Sequence, residues 1–240
     1  MAMSIHILLT GASRGIGAAI RESLGGLPDV RVVGQATRAA DAQTIACDFA
    51  DPDAPARLWG EALERLDGRI DVLINNAGIF EATPIGLPDA EWRAGWERTL
   101  QVNLLAATDL CRGAVLHWQE RKAGGRIVNV ASRAAHRGDS PDHWHYAASK
   151  AGLLAATKTI ARAYARQDIL AFAVCPGFTM NGPAEEYMAS RGGDRLLADI
   201  PLGRVAMPEE VAEAVRFLAL EAPASMTGAV IDINGASYVR

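Results

Sequence analysis

Six short apolar runs, at residues 5–9, 30–33, 72–74, 127–130, 172–174 and 230–233, recur along the chain with at most one polar residue in each. Runs of this length suit strands buried on both faces, as in a parallel sheet, rather than strands with one wet face. Helical faces lie between them: Leu58, Ala62 and Leu66 share one side of a helix, as do Val211, Val215 and Leu218, with charged residues between. This alternation predicts βαβ units with right-handed crossovers, hence an α/β fold of three layers with helices on both faces of a mostly parallel sheet. At 240 residues, 50% of them hydrophobic and 22% charged, the chain is long enough for such a core. No repeat, low-complexity tract or linker divides it, so residues 1–240 read as one domain. Residues 177–208 are less regular, with Pro183, Gly192, Gly193, Pro201 and Gly203 around a short helical stretch at 184–190. An irregular segment of this length reads as a lid or binding loop.

The first apolar run enters Thr10-Gly-Ala-Ser-Arg-Gly-Ile-Gly17, and a helical segment begins near Ile16. Strand, glycine loop and helix in succession suit a phosphate cradle, because glycines let the backbone approach a pyrophosphate and the helix N-terminus offers free N–H groups. The spacing is GxxxGxG rather than GxGxxG, and as a bare pattern it equally suits a helix-packing turn. About twenty residues on, where an NAD site places an acid for the ribose 2′-hydroxyl, Val32-Val-Gly-Gln-Ala-Thr-Arg38 has none. Thr37 and Arg38, with Arg14 in the loop, suit a 2′-phosphate instead. NADP(H) is therefore the expected cofactor and NAD(H) the alternative; the competing reading makes both arginines solvated surface cations.

Composition excludes several classes. A net charge of -4 without a basic block argues against nucleic acid. Cys47, Cys111 and Cys175 are odd in number and without CxxC spacing, which favours reduced thiols and a cytoplasmic compartment over a disulfide framework. The opening MAMSIHILLTGAS has no basic leader, and no run of eighteen apolar residues occurs, so neither a signal peptide nor a membrane span is expected.

The loop TGASRGIG, Asn75-Asn-Ala-Gly78 after the 72–74 run, Asn103, Ser132, Tyr146 four residues before Lys150, and Pro176-Gly177 stand in the order found in the short-chain dehydrogenase/reductase family. The chain resembles that family over nearly its whole length. The resemblance implies a Rossmann-type, doubly wound, seven-stranded parallel sheet and a homotetramer or homodimer built partly through two long central helices. It implies that Gly11, Ser13, Arg14, Ile16 and Gly17 line the cofactor phosphates or ribose, and that Asp48, beside Phe49, bonds the adenine amine. Asn75, Ala77 and Gly78 would pack along the adenosine and ribose side and hold the central strand, and Pro176, Gly177 and Phe178 would border the nicotinamide. Thr179 or Asn181 would supply a further contact to its carboxamide. Phe172 departs from the family, many members of which carry asparagine in that strand.

The same resemblance implies a catalytic set of Asn103, Ser132, Tyr146 and Lys150. Reducing a carbonyl leaves an alkoxide that must gain a proton, and a phenol near pKa 10 is a poor shuttle at neutral pH. Lys150 lies one helical turn beyond Tyr146, so its ammonium is expected to lower the phenol pKa. Tyr146 would be the general acid in reduction and the base in oxidation; Ser132 would orient the substrate oxygen; Asn103 would anchor a relay water; Lys150 would also reach the nicotinamide ribose. Residues 133–145 hold three histidines, two arginines and Trp144. They read either as a border for a polar or anionic substrate, with Ala134 and His143 as contacts, or as a solvated loop whose Trp144 packs on a neighbouring helix or subunit. His143 and His145 have no acidic or thiol partner at a familiar spacing, so no metal site is expected. Residues 233–240 and the strand end VVGQAT are similar to 3-oxoacyl-[acyl carrier protein] reductases, for which Arg126 and Arg166 would supply basic surface beside the entrance to a carrier-protein partner. The expected function is NADP(H)-dependent reduction of a small-molecule ketone or aldehyde. An NAD-dependent alcohol, sugar or polyol dehydrogenase and a non-catalytic dinucleotide-binding regulatory protein are the competing functions.

Overall fold

A computed structural model describes residues 4–38, 41–180 and 193–240. The six apolar runs become strands β1 (Ile5–Leu9), β2 (Val30–Ala36), β4 (Val72–Asn75), β5 (Gly125–Val130), β6 (Ile169–Pro176) and β7 (Val230–Ile233). A further strand, β3 (Thr44–Ala46), has Ile45 as its one large apolar residue, too little to register as a run. All pair in parallel in the order β3-β2-β1-β4-β5-β6-β7. This is the Rossmann-type order, which reverses between β1 and β4 and so opens a crevice beyond their C-terminal ends.

Helices α1 (Gly15–Gly25), α2 (Ala54–Arg65), α3 (Asp89–Leu100), α4 (Ala106–Arg121), α5 (Ala134–Arg137), α6 (Trp144–Tyr164), α7 (Gly193–Ala198) and α8 (Pro208–Leu220) connect the strands. Because alternate strand residues point to opposite faces, Ile7 and Leu9 pack with Ile20 and Leu24 of α1 and with Val211, Val215 and Leu218 of α8. Leu8 packs on the other face with Leu58 of α2 and with Leu110 and Trp118 of α4. The three expected layers result.

A buried asparagine links the layers through hydrogen bonds. Asn129 of β5 donates to Thr157 Oγ1 of α6 at 2.8 Å and accepts from Asn75 Nδ2 of β4 at 2.9 Å, which ties two strands to a helix. Phe172 lies on the opposite face of the sheet, fully buried among the α8 contacts, with the Arg126 guanidinium 6.0 Å from its ring centre. Apolar packing thus takes its place without disturbing the Asn129 network.

In the 177–208 segment, Thr179 bridges Ala206 in parallel and α7 follows at Gly193–Ala198. The stretch expected as helix at 184–190 lies outside the described residues. Among the described residues no helix is long and apolar enough to cross a membrane.

Gly125, the first residue of β5, lies against the indole of Trp118, whose Nε1 donates to Ile70 O at 2.7 Å. A Cβ at Gly125 would stand 2.0 Å from Trp118 Cε2. Gly125→Ala is expected to destabilise the fold by roughly 1–3 kcal/mol through overpacking. The check is a lower urea midpoint at unchanged m; an unchanged midpoint would mean that the indole can move aside.

Candidate active site

The crevice is built first from a close approach of backbones. Gly11 has φ +66°, in the left-handed region, and a Cβ there would lie 2.8 Å from Ala77 Cα. A Cβ on Gly17 would lie 1.9 Å from Gly11 O. Only glycine fits either position, and α1 is thereby drawn against the end of β1. Its N-cap, Arg14, is extended, no side chain caps the first turn, and no acid occupies it. The helix N-terminus is left to an external anion. Ser13 and Arg14 are exposed on the loop and Ile16 is half-buried beneath it. This cradle fits a dinucleotide pyrophosphate.

Asn76, which was not singled out from the sequence, braces the loop. Its Nδ2 donates to the carbonyls of Thr10 and Gly11, both at 3.1 Å, while Thr10 Oγ1 accepts the N–H groups of Asn76 and Ala77 at 2.9 and 3.0 Å. Asn75, expected both along the adenosine and ribose side and as a holder of the central strand, turns its side chain into the core, toward Asn129 and Ala107 O. Strand alternation decides this: neighbouring asparagines point to opposite sides, so one fastens the sheet and the other the loop. Ala77 packs against the core. Gly78 lies by the catalytic groups, where a Cβ would be 3.3 Å from Asn103 Oδ1 and 3.4 Å from Lys150 Nζ.

Thr37 and Arg38 are exposed just past the end of β2. Neither Arg14 nor Arg38 has an ion-pair partner among the described residues. Gln35 is buried and occupied, accepting from Gly11 N at 2.9 Å and donating to Cys47 O at 2.5 Å. Asp48 is exposed, with Oδ1 accepting from Ala50 N at 2.9 Å. The Phe49 ring packs in the core, so only its main chain is left to face a cofactor.

The catalytic candidates converge at the C-terminal end of β5. The Ser132 hydroxyl accepts from Ala134 N at 3.1 Å and faces the buried Tyr146 phenol. Burial pushes the phenol up to about 12, against the Ser132 hydroxyl, which favours the ionised form. The lowering expected from Lys150 is not what this arrangement produces. Lys150 Nζ donates to Val130 O at 2.9 Å and stands 5.9 Å from the centre of the Tyr146 ring. One-turn spacing aligns the two side chains, but the long lysine runs on to the nearest buried carbonyl rather than stopping at the hydroxyl. Burial in turn lowers Lys150 to about 8.

Asn103 sits in a π-helical turn, Gln101–Leu105, between α3 and α4; such turns often mark functional positions. Its Nδ2 donates to Ile79 O at 2.9 Å and its Oδ1 accepts from Ile79 N at 2.8 Å. The side chain is committed to the loop after β4, so a relay water would be held by the main-chain carbonyl.

On the far side, Pro176 ends β6 and Gly177 N donates to Ile233 O at 2.9 Å. The Arg133 guanidinium lies 5.4 Å from the ring centre of the exposed Phe178. Thr179 is buried and donates to Gly177 O at 3.3 Å; Asn181 lies outside the described residues. Ala134 is buried beside Ser132. His143 stacks on Phe80, ring centres 3.8 Å apart, and Phe80 meets Tyr146 edge-on at 4.8 Å. Phe80 was not singled out from the sequence, although it follows Gly78 by only two residues. His145 is buried, with Nε2 2.9 Å from Thr83 Oγ1, while Trp144 is 50% exposed, so within the chain it does not bury itself on a neighbouring helix. Arg126 is the second residue of β5 and donates to Leu218 O at 3.0 Å; Arg166 follows α6. Both lie at the opposite end of the sheet from Ser132 and cannot border its entrance.

The family profile described as Enoyl-(Acyl carrier protein) reductase matches residues 26–236. The 3-oxoacyl-[acyl-carrier-protein] reductase of Synechocystis is 35% identical over 243 residues, covering 95% of this chain and 94% of that protein. The chain belongs to the short-chain dehydrogenase/reductase family. The enzyme of the same name from Vibrio cholerae is 33% identical, with 97% and 96% covered. A short-chain dehydrogenase/reductase structure from Agrobacterium tumefaciens, provisionally named 2-deoxy-d-gluconate 3-dehydrogenase and with bound NADP, superposes with a TM-score of 0.86 at 27% identity, covering 100% and 98%. The protein is thus an NAD(P)-dependent oxidoreductase acting on CH–OH groups.

Lys150 gives this site a stability signature. Its pKa is about 8 in the fold against 10.5 for an ordinary lysine. Between those values the unfolded chain binds more protons, so stability rises with pH. Lys150→Met is expected to lack this rise, its unfolding free energy converging with the wild-type value as pH goes from about 8 toward 10. Parallel urea-unfolding profiles for the two proteins would mean that Lys150 keeps its charge at no cost in the fold.

Proposed function

We propose that the protein uses NADPH to reduce a ketone or aldehyde to an alcohol. The observation that carries this reading is the convergence, at the C-terminal end of β5, of Ser132, the buried Tyr146 phenol and Lys150, whose Nζ lies 5.9 Å from the centre of the Tyr146 ring. When bound, the nicotinamide supplies the hydride. Tyr146 gives its proton to the carbonyl oxygen as negative charge develops there, and Ser132 donates a hydrogen bond to the same oxygen. Lys150, one turn away, holds the nicotinamide ribose. A water on the Asn103 carbonyl returns a proton from solvent.

Cofactor roles follow the geometry of the crevice. Gly11, Gly17 and the α1 N-terminus take the pyrophosphate, with Ser13 and Ile16 beside it, and Asp48 takes the adenine amine next to the Phe49 main chain. Ala77 and Gly78 line the ribose side; Pro176, Gly177, Phe178 and Thr179 border the nicotinamide. Arg14, Thr37 and Arg38 take the 2′-phosphate, since the end of β2 offers no acid for a bare ribose. Two relatives are named as 3-oxoacyl-[acyl-carrier-protein] reductases, which supports a 3-oxoacyl or related ketone, with the Phe80–His143 stack as an aromatic wall for it. Leu105 and Leu116, both 48% exposed at the start and on the length of α4, support a homotetramer or homodimer assembled through this helix.

Tyr146→Phe is expected to lower turnover by about 10²–10⁴-fold while leaving NADPH affinity within about twofold, read by fluorescence titration. Equal turnover in the mutant would sink the mechanism. The double change Thr37→Ala, Arg38→Ala is expected to weaken NADPH by roughly ten- to a hundredfold and NADH hardly at all, as loss of charge-assisted hydrogen bonds predicts. Tighter NADH than NADPH in the unaltered protein would overturn the cofactor assignment.

A further inference from the structure

Beside Ser132, three side chains from distant parts of the chain meet at the C-terminal edge of the sheet. Cys175 of β6 and Asp232 of β7 are register partners, and His136 of α5 lies over them. The potential ligand atoms of the three lie within 4.8 Å of one another. His136 Nε2 is 3.6 Å from Cys175 Sγ and 4.0 Å from Asp232 Oδ1. A tetrahedral zinc ion with ordinary Zn–S and Zn–N bonds holds its sulfur and nitrogen about 3.6 Å apart, and its nitrogen and carboxylate oxygen about 3.4 Å apart. The Cys–His separation already matches; the aspartate oxygen has to close from 4.0 Å to about 3.4 Å on the imidazole and by up to about 1.2 Å on the thiol sulfur, a shift that turning its carboxylate can supply.

A second observation points to a ligand. Asp232 Oδ2 accepts from Arg240 Nε at 2.9 Å, but Oδ1, on the side of His136 and Cys175, is buried without a hydrogen-bond partner among the described residues. An orphaned buried carboxylate oxygen is costly unless something cationic meets it. The imidazole beside it is held in place by Tyr238, whose ring is stacked 5.5 Å away and nearly coplanar at 8°. Access is open. An open cavity of about 390 Å³, lined by Asp232, Tyr238 and Arg240 among others, reaches the site, and the His136 and Asp232 side chains are 12% and 23% exposed. A Cys–His–Asp set could also suggest a nucleophile, but Cys175 is fully buried and no substrate can reach its sulfur.

We propose that Cys175 Sγ, His136 Nε2 and Asp232 Oδ1 form a binding site for a divalent zinc-type cation, with water from the cavity as fourth ligand. Thiolate, imidazole and carboxylate together favour Zn²⁺ over Mg²⁺ or Ca²⁺. The thiol proton leaves to solvent as the Zn–S bond forms. Because the chain around Ser132 is bonded to β6 on both sides of Cys175, Ala131 N donating to Val174 O at 2.8 Å and Arg133 N to Pro176 O at 2.9 Å, the ion would clamp the C-terminal strand and tail to the strand end that carries Ser132. None of its three ligands is among the groups assigned to the hydride chemistry above, so its occupancy stands or falls separately from that reading.

The test is metal binding to the full chain, without cofactor or substrate. Dialysis against Zn²⁺ followed by elemental analysis is expected to leave one ion per chain, and Co²⁺ is expected to give a near-ultraviolet thiolate-to-cobalt charge-transfer band with tetrahedral visible bands. His136→Gln and Asp232→Asn, both at partly exposed positions, are each expected to weaken Zn²⁺ by about tenfold or more, and Cys175→Ser to abolish the charge-transfer band. The absence of that band in the unaltered protein would overturn the proposal without any variant being needed. A band that survives Cys175→Ser, or equal Zn²⁺ affinity in both other variants, would overturn it too.

Discussion

The crevice depends on how closely the first helix can approach the sheet at the point where strand order reverses. β1 and β4 are neighbours, yet the chain leaves β1 toward β2 on one side and β4 toward β5 on the other. Connections diverging from adjacent strands leave a gap, and a ligand fits there only if the backbone lining it is thin. Gly11 and Gly17 make it so: the space a Cβ at Gly17 would need is filled by Gly11 O. Asn76 then locks this contact from the β4 side through the Thr10 and Gly11 carbonyls. The cradle is therefore a property of two strands and a helix together.

The proposed catalytic half rests on burial acting on groups of opposite charge type. Desolvation disfavours whichever form is charged, so it raises Tyr146 and lowers Lys150. The result is a phenol that keeps its proton, facing the Ser132 hydroxyl, beside an amine that readily loses one and is held by a main-chain carbonyl. Negative charge developing on a substrate oxygen would meet donors already oriented and already stripped of water, which is the condition for electrostatic stabilisation without reorganisation. Asn103 serves the same end indirectly: its side chain fixes the main chain at Ile79, one residue past Gly78, and so sets the wall that faces Lys150.

Much of this was legible in one dimension, and the exceptions have physical causes. The buried strands announce themselves because a strand covered on both faces has no polar alternate position; β3 does not, since it is three residues long at the edge of the sheet. Asn75 and Asn76 are adjacent and chemically identical, and only the side of the strand on which each falls separates the core bolt from the loop brace. Arg126 and Arg166 look like entrance cations until strand direction puts them at the wrong end of the sheet. Phe80 and His143 are sixty-three residues apart in sequence and stack as one wall. Spacing arguments cannot see such a pair.

Local signals, then, were determined by the sequence itself: the alternation of strands and helices, the glycine loop with its helix, the missing acid after β2, and the one-turn interval between Tyr146 and Lys150. Each is set by backbone geometry within a few residues. Tertiary structure alone decided which partner each buried polar group takes. Lys150 reaches Val130 O, the Asn75 side chain turns to Asn129, and His136, Cys175 and Asp232 gather at one edge. These outcomes follow from strand order and register, which join residues far apart in the chain, and from the cost of leaving any buried polar atom without a partner.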